Sequence, residues 1–408
     1  MKSTFRALFP AVLAVLLALA SPVHAQPDEK SEDLYLVAMQ MINEGRYDDA
    51  GSTLARMILQ GPRHAGEWFD IALLHCALGH AQEAEALFKD IEARFDPPPG
   101  VQQLIAQQRE RGCAMPRQNR LWALELGRGH DTNVNQGASN PLFEGGNGVP
   151  LELLPEYLPR ADGYTTLVGD YLGDLGRNGN LGFAQFYGRR YDHESRYDSF
   201  SVLGGVEHPW RRANWRFRSI AAGGLQMLGG RLYQEHLQVQ LRAVPPWKLP
   251  ERFDLTFVGA ASYMHYKTLS NFDAATADLR AILGYGTGGT RLQAMLGYTF
   301  DEGNTSRPGG DRDGWSARLF GRTALGPKLS GEVDWARQQW RGDTAYSPGL
   351  IDILRRQATR SVRAALVYTV TPEHSVQLEW RQIHNRENIS IFQYDSRQIQ
   401  LSWRWYPR

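Results

Sequence analysis

The spacing of apolar positions changes once along the chain, near residue 120. Before it, over residues 28–112, apolar side chains recur at helical spacing. After it they recur every second residue, as in strands with one apolar and one polar face. The change falls at "WALELGRGHDTNVN", residues 122–135, where Trp122, Leu124 and Leu126 alternate with Ala123, Glu125 and Gly127. The alternation then breaks into Asp131, Asn133 and Asn135, residue types that favour turns.

With that first strand, the pattern predicts fourteen, centred near 169, 186, 204, 220, 239, 259, 280, 296, 319, 334, 366, 380 and 401. One strand and its connection take about 21 residues, which leaves about 10 for the strand. One stretch after 120 reads as a helix, "GLIDILRRQ" at 349–357. Short turns such as "RNGN" at 177, "RRAN" at 211, "TGGT" at 287 and "TPEH" at 371 alternate with longer polar connections. The longer set is 131–162, 192–199, 228–234, 267–273, 302–314, 341–358 and 385–395. Short turns on one rim and long loops on the other are the layout of a bacterial outer-membrane barrel.

Later strands separate their faces well. Val376, Leu378 and Trp380 alternate with Gln377, Glu379 and Arg381; Ile399, Leu401, Trp403 and Trp405 alternate with Gln400, Ser402 and Arg404. "LGFAQFYGRR", near 186, is ambiguous, with apolar residues on both faces. Aromatics gather at strand ends, as an interfacial girdle requires. A soluble sandwich would bury the same stripes against each other, but it rarely needs so many strands of this length. The expected fold is therefore an N-terminal all-α domain and a C-terminal all-β, fourteen-stranded antiparallel transmembrane outer-membrane barrel.

In the helical part, "NEGRYDDAGSTLARMI" from Asn43 and "ALGHAQEAEALFKDIE" from Ala77 repeat one pattern 34 residues apart. Gly45 matches Gly79, Ala50 matches Ala84 and Leu54 matches Phe88, and Pro62 and Pro97 to Pro99 close the two units. The period and these residues resemble the tetratricopeptide repeat, with 100–112 as a capping helix. In such a stack Cys76 and Cys113 could be neighbours, bonded to each other or left as two buried thiols.

The first 25 residues read as a signal peptide: Lys2 and Arg6, an apolar run Ala11–Ala20, and Val23-His24-Ala25 before a mature Gln26. The expected domains are 1–25, a periplasmic helical domain at 26–116 and a barrel at 117–408. The net charge of +1 over 408 residues gives no sign of a nucleic-acid partner. A mean hydropathy of −0.44 with 41 Gly and 11% aromatics suits a barrel whose strands are half wet.

The order of signal peptide, short tetratricopeptide-like domain, "RQNRLWALELGRGHDTNVNQGAS" and fourteen strands resembles the surface lipoprotein assembly modulator (Slam) family of type XI secretion translocators. The element carrying the resemblance is a first strand ending in Asp-x-Asn-Val-Asn, here Asp131, Asn133, Val134 and Asn135. It implies a Gram-negative outer-membrane protein that delivers lipoproteins, or related soluble proteins, from periplasm to cell surface. The implied partners are a cargo lipoprotein or secreted protein, a periplasmic chaperone, outer-membrane lipid and the barrel-insertion machinery. A polysaccharide-export or nutrient porin with a helical adaptor is the alternative.

Asp131, Asn133 and Asn135 form a candidate gate or turn motif. Gly137 falls one place late for a calcium loop, so neither metal nor cofactor is expected. The predicted lumen carries Glu125, Asp254, Asp278, Arg280, Arg318, Arg322, Glu332, Asp334, Arg363, Glu379, Arg381 and Arg404. Both signs occur in similar numbers, which suits cross-strand ion pairs or a polar track for unfolded cargo. No G-x-S-x-G is present, and His384-Asn385 only loosely suggests hydrolase chemistry, so no catalysis is expected.

Overall fold

The computed structural model describes residues 34–59, 65–95, 97, 99–113, 120–144, 150–176 and 179–407. The signal peptide, Pro62, Pro98, Arg177 and Asn178 lie outside these residues, as does the expected domain boundary at 116/117. By contact the chain forms two compact units, one comprising residues 24–120 with 172–182, the other holding the rest of the barrel.

Among the described residues the first unit has five helices: α1 (Leu34–Asn43), α2 (Tyr47–Leu59), α3 (Ala65–Ala77), α4 (Ala81–Phe95) and α5 (Pro99–Arg111). Gly45 and Gly79 follow α1 and α3 with φ of +73° and +79°. Their N–H groups bond back to Ile42 and Cys76, and the next N–H groups reach Met41 and His75. Both helices thus stop on the same left-handed cap, which a residue with a Cβ adopts only at a cost. Ala50 and Ala84 are fully buried, with Leu54 and Phe88 beside them in the two apolar clusters. The small side chains let the paired helices close up, and the larger ones fill the space between them.

Cys76 and Cys113 are joined by a disulfide that closes a separation of 37 residues. Cys113 lies just beyond α5, so the bond ties the end of that helix to the end of α3. His75 precedes the bonded cysteine, and its Nδ1 is buried without a hydrogen-bond partner. Burial, with the His80 ring beside it, lowers the pKa of His75.

The second unit is a closed barrel in which each strand pairs antiparallel with its neighbours. β1 is Arg120–Asp131, β4 Asp162–Asp174, β5 Leu181–Tyr191 and β6 Ser199–Arg212. Then follow β7 Trp215–Leu228, β8 Arg231–Val244, β9 Phe253–Tyr266, β10 Ala274–Thr287, β11 Thr290–Gly303 and β12 Arg312–Ala324. The last are β13 Leu329–Ser347, β14 Ile351–Thr371, β15 His374–Glu387 and β16 Tyr394–Trp405. β2 (Leu142–Glu144) and β3 (Pro150–Glu152) form a small hairpin apart from these fourteen, within the connection from β1 to β4. β16 pairs with β1, which closes the ring.

The apolar stripes face outward: Leu279, Leu296, Leu366, Leu378, Ile399 and Leu401 are all exposed. No helix among the described residues is long and apolar enough to cross a membrane. The strands present the oily surface instead, and ring closure leaves no unpaired edge. Aromatic pairs cluster where short turns join the strands, among them Trp210–Phe217, Trp215–Trp247 and Phe253–Tyr285.

Two expectations need correction. Residues 349–357 are not helical: Ile351 begins β14, and Ser347 and Ala345 of β13 pair with Ile351 and Leu354. Leu350, Ile351, Ile353 and Leu354 mimic helical spacing, but the ladder to β13 fixes the backbone as strand. The polar stretches 341–358 and 228–234 are correspondingly not loops. β13 and β14 extend through the first and leave a three-residue connection, Pro348–Leu350. The second tightens to Gly229-Gly230, both at positive φ. Polarity there marks strand ends in water rather than coil. The ambiguous strand near 186 is resolved too: a Cβ on Gly205 would meet the Phe183 ring, and one on Gly169 the Phe186 ring. These rings therefore project from opposite faces of β5.

The disulfide closes a long loop, so chain-entropy arguments give roughly 3–4 kcal/mol of stabilisation. Cys76→Ser with Cys113→Ser should lower the denaturant midpoint of the helical signal accordingly, and the unreduced, unfolded wild type should titrate no free thiol. The lowered pKa of His75 means that protonation favours the unfolded chain. That contribution is complete above the ordinary value of 6.5 and is lost as pH falls through it. The helical unit should thus unfold at lower denaturant at pH 5 than at pH 7.5, and His75→Gln should flatten the difference.

Candidate functional site: the seam between first and last strands and the charged lumen

β1 leaves the barrel at Asp131, and the amide-rich motif begins there. Alternation places Glu125, Gly127, Gly129 and Asp131 on the inward face. Asp131 is buried, and each of its carboxylate oxygens is used. Oδ1 accepts from the Asn133 N–H at 2.9 Å and from Ser396 Oγ at 2.8 Å; Oδ2 accepts from Gln398 Nε2 at 2.8 Å. Ser396 and Gln398 belong to β16. The carboxylate therefore holds the last strand to the point where the first one turns away.

Asn133 continues the stitch. Its Nδ2 donates to the Gly137 carbonyl and to the Asp395 carbonyl, both at 2.9 Å, and its Oδ1 accepts from the Gly137 N–H at 2.7 Å. One side chain replaces the ladder bonds that β1 no longer supplies. Asn135 works across the loop: Nδ2 donates to the Leu158 carbonyl at 2.8 Å and Oδ1 accepts from the Arg160 N–H at 3.0 Å. The Ser139 N–H reaches the Gln393 carbonyl at 2.8 Å, so the loop also reaches the β15–β16 connection. The motif is a backbone-satisfying knot at the seam. No group of side chains able to hold a metal occurs among the described residues.

Between the knot and the Glu125–Arg404 pair the inner face of the seam is polar without charge. Gly127 pairs with Ser402, and Ser402 with Gln377. A Cβ on Gly127 would fall 2.5 Å from Thr166 Oγ1. Thr166, Ser402 and Gln377 are buried, and Thr166 Oγ1, Ser402 Oγ and Gln377 Oε1 have no protein partner. Tyr164 covers the level above, where a Cβ on Gly129 would lie 2.5 Å from its ring.

The charged lumen residues gather into pairs. Glu125 pairs with Arg404 across the seam. Arg363 bridges Glu332 at 3.0 Å and Glu379 at 2.6 Å, Arg381 joins Glu379 at 3.1 Å, and Arg322 joins Glu332 at 3.8 Å. Arg318 pairs with Asp334, and Arg280 with Asp278. Asp254 stands apart from these pairs and lies over Gly284. The register explains the chain of charges: Asp334 faces Arg363, Arg363 faces Arg381, and Arg322 faces Glu332. Opposite charges on adjacent strands cancel locally and leave a wall that is polar but nearly neutral.

His384 and Asn385 sit on opposite faces of β15. His384 Nδ1 meets Asp395 at 2.6 Å. Asn385, 1% exposed, accepts from Thr359 and donates to Glu387 and the Phe392 carbonyl. Adjacent strand residues diverge in this way, so the two do not form a catalytic pair.

Sequence reasoning did not single out Asp301, Arg307, Arg312, Arg355 or Glu387, which form a second charged group beside the long loops. Arg307 lies in a connection that read as polar coil, and nothing in its spacing marked it. The signal present was "RPGGDR" at 307–312, whose paired glycines require a tight return.

No family model matches the chain, and no curated protein does. Solved structures match over the barrel. The anion-selective porin from Comamonas acidovorans aligns with 71% of this chain and 99% of its own at 9% identity and a TM-score of 0.38. The outer membrane channel DcaP of Acinetobacter baumannii aligns with 71% and 97%, at 8% identity and 0.39. A bacterial polysaccharide outer membrane secretin aligns with 70% and 98%, at 10% identity and 0.37. The likeness is one of outer-membrane barrel fold.

Removing Arg363 takes the nearer arginine from two carboxylates whose side chains are 11% and 16% exposed, leaving Glu332 only Arg322 at 3.8 Å and Glu379 only Arg381 at 3.1 Å as cationic partners. Arg363→Ala should cost about 2–4 kcal/mol, seen as loss of the compact band at lower temperature in heat-modified electrophoresis. Arg318, with 53% of its side chain exposed, should cost under about 1 kcal/mol when replaced by Ala. Asn133→Ala should cost about 2–3 kcal/mol by leaving buried backbone groups unpaired, and should open residues 132–161 to protease.

Proposed function

We propose that this barrel is an outer-membrane translocator that delivers lipoproteins, or related exported proteins, to the cell surface. The helical unit stands on the periplasmic side and receives cargo or its chaperone. The observation that carries the reading is the position of the Asp131-x-Asn133-Val134-Asn135 motif. It lies on the junction of first and last strands, where it ties the first long loop to β16. The β1–β16 ladder there pairs eight residues, against twelve between β15 and β16. A lipid-anchored cargo needs a route between strands, because acyl chains are not expected to cross a polar lumen.

The neutralised lumen supports the same reading. Paired charges and uncharged hydroxyl and amide groups offer a peptide transient hydrogen bonds and no strong foothold. A pore selective for a charged polymer or solute would instead carry an excess of one sign along its wall.

Deleting the protein and shaving intact cells with protease should remove a small set of proteins from the surface fraction and leave them cell-associated. An unchanged surface set, with capsule or solute uptake altered instead, would overturn the proposal in favour of a porin. The route has its own test. Leu126 and Trp403 lie opposite each other across the seam, so Leu126→Cys with Trp403→Cys should lock it on oxidation. Delivery of a lipid-anchored cargo should stop in the locked form and resume on reduction; delivery through the lock would exclude the seam.

A further inference from the structure

A small, partly open cavity lies beside the long-loop rim, apart from the seam. Its volume is about 140 Å³, and Tyr266, Arg307, Pro308, Arg312, Trp340 and Arg355 line it. Three arginines therefore line one space. The carboxylates paired with them are Asp301 and Glu387, and both are already engaged. Asp301, 2% exposed, accepts from Arg307 Nη2 at 2.7 Å and from Arg312, while its other oxygen accepts from Thr276 Oγ1 at 2.8 Å. Glu387 takes both forks of Arg355 at 2.7 Å. Within these pairs, three guanidinium groups share two carboxylates.

The unmatched donor lies on Arg307. Its side chain is 5% exposed, and its Nη1 is buried without a partner. A charged donor taken out of water without an acceptor loses hydration and gains nothing in return. The backbone nevertheless holds it there. Gly309 and Gly310 turn the chain at φ of +79° and +65°, the Arg307 N–H bonds to the Asn304 carbonyl at 2.9 Å, and a Cβ on Gly303 would fall 2.2 Å from Arg307 Cδ. Arg312 is fixed over the Trp340 ring at 4.6 Å and Arg355 over the Phe392 ring at 4.5 Å. Asp343 lies against Gly310, and Asp311 accepts from the Gly303 N–H; neither lines the cavity.

We propose that this cavity binds a single oxyanion of phosphate, sulfate or carboxylate type. Forked guanidinium donors match the geometry of such groups. At about 30 Å³ per water the space admits one such group with a few waters and excludes a polymer. Arg312, Trp340 and Arg355 belong to the inward face of their strands, so the anion arrives from the aqueous side and not from the bilayer. It is taken free or as the charged group of a larger solute. The site is independent of the translocation reading.

Titration calorimetry of the full-length protein in micelles at low ionic strength tests it, with inorganic phosphate, sulfate and acetate as probes. At least one should bind saturably at one per chain, and Arg307→Gln should weaken it at least tenfold. Gly303→Val, which keeps every charge but displaces Arg307, should weaken it similarly. Arg397→Gln, an exposed arginine outside the cavity, should leave it unchanged. Glucuronate binding tighter than acetate would show the group carried on a larger solute; equal binding would show the free ion to suffice. Should a variant fail to fold, slower hydrogen exchange over residues 304–311 of the wild type on adding phosphate carries the same test. No saturable binding of any probe, or unaltered affinity in folded Arg307→Gln, would overturn the proposal.

Discussion

A backbone amide in hydrocarbon has no water to bond. Each N–H and C=O of a membrane-crossing strand must find a partner in another strand, so the sheet must close. Most features of this barrel answer that demand. β16 pairs with β1 as β15 pairs with β14, although more than 260 residues separate the first two. The outward residues are oily because lipid is their solvent. The inward charges are paired because side chains crowd one another across the strands. Even the amide motif at 131–135 is a local solution to the same problem. Where β1 departs, Asp131 and Asn133 supply the donors and acceptors that a continued strand would have provided.

This gives the seam two functions in one structure. It completes the ring, and it is also where closure depends on side chains as much as on ladder bonds. The uncharged row of Thr166, Gly127, Ser402 and Gln377 beneath it has hydroxyl and amide atoms to spare. The charge network stands mainly on β10 to β16, and it crosses the seam only as the pair of Glu125 and Arg404. A route for protein along the seam would therefore meet one ion pair and then a row of hydroxyls and amides. The helical unit is stabilised differently, by two repeated caps, two small-residue contacts and a disulfide, all on short sequence separations.

Much of this was legible in the sequence. The period of two in β15 and β16 assigns their faces correctly, since each strand has one wet and one oily solvent. The pairs Gly45/Gly79 and Ala50/Ala84 mark helix ends and close contacts because only small residues fit there. The polar segments at 228–234 and 341–358 misled for a physical reason: strand ends beyond the membrane face water on both sides and lose their alternation. The "GLIDILRRQ" stretch misled because four apolar residues in five fit either period, and only pairing with β13 decides. Arg307 was beyond reach because its burial depends on two glycines and on an aspartate, Asp301, at the end of β11. The ion pairs of the lumen needed strand register, which composition does not encode.

The account rests on lipid lying outside the strands and water within, residue by residue. Single cysteines at Gln398, Ile399, Gln400 and Leu401, carrying an environment-sensitive fluorophore in reconstituted bilayers, test this directly. Labels at 399 and 401 should be quenched by spin-labelled lipid and ignore aqueous iodide, and those at 398 and 400 should do the reverse. Uniform quenching along the four positions, by either agent, would contradict the barrel as described and the export role with it.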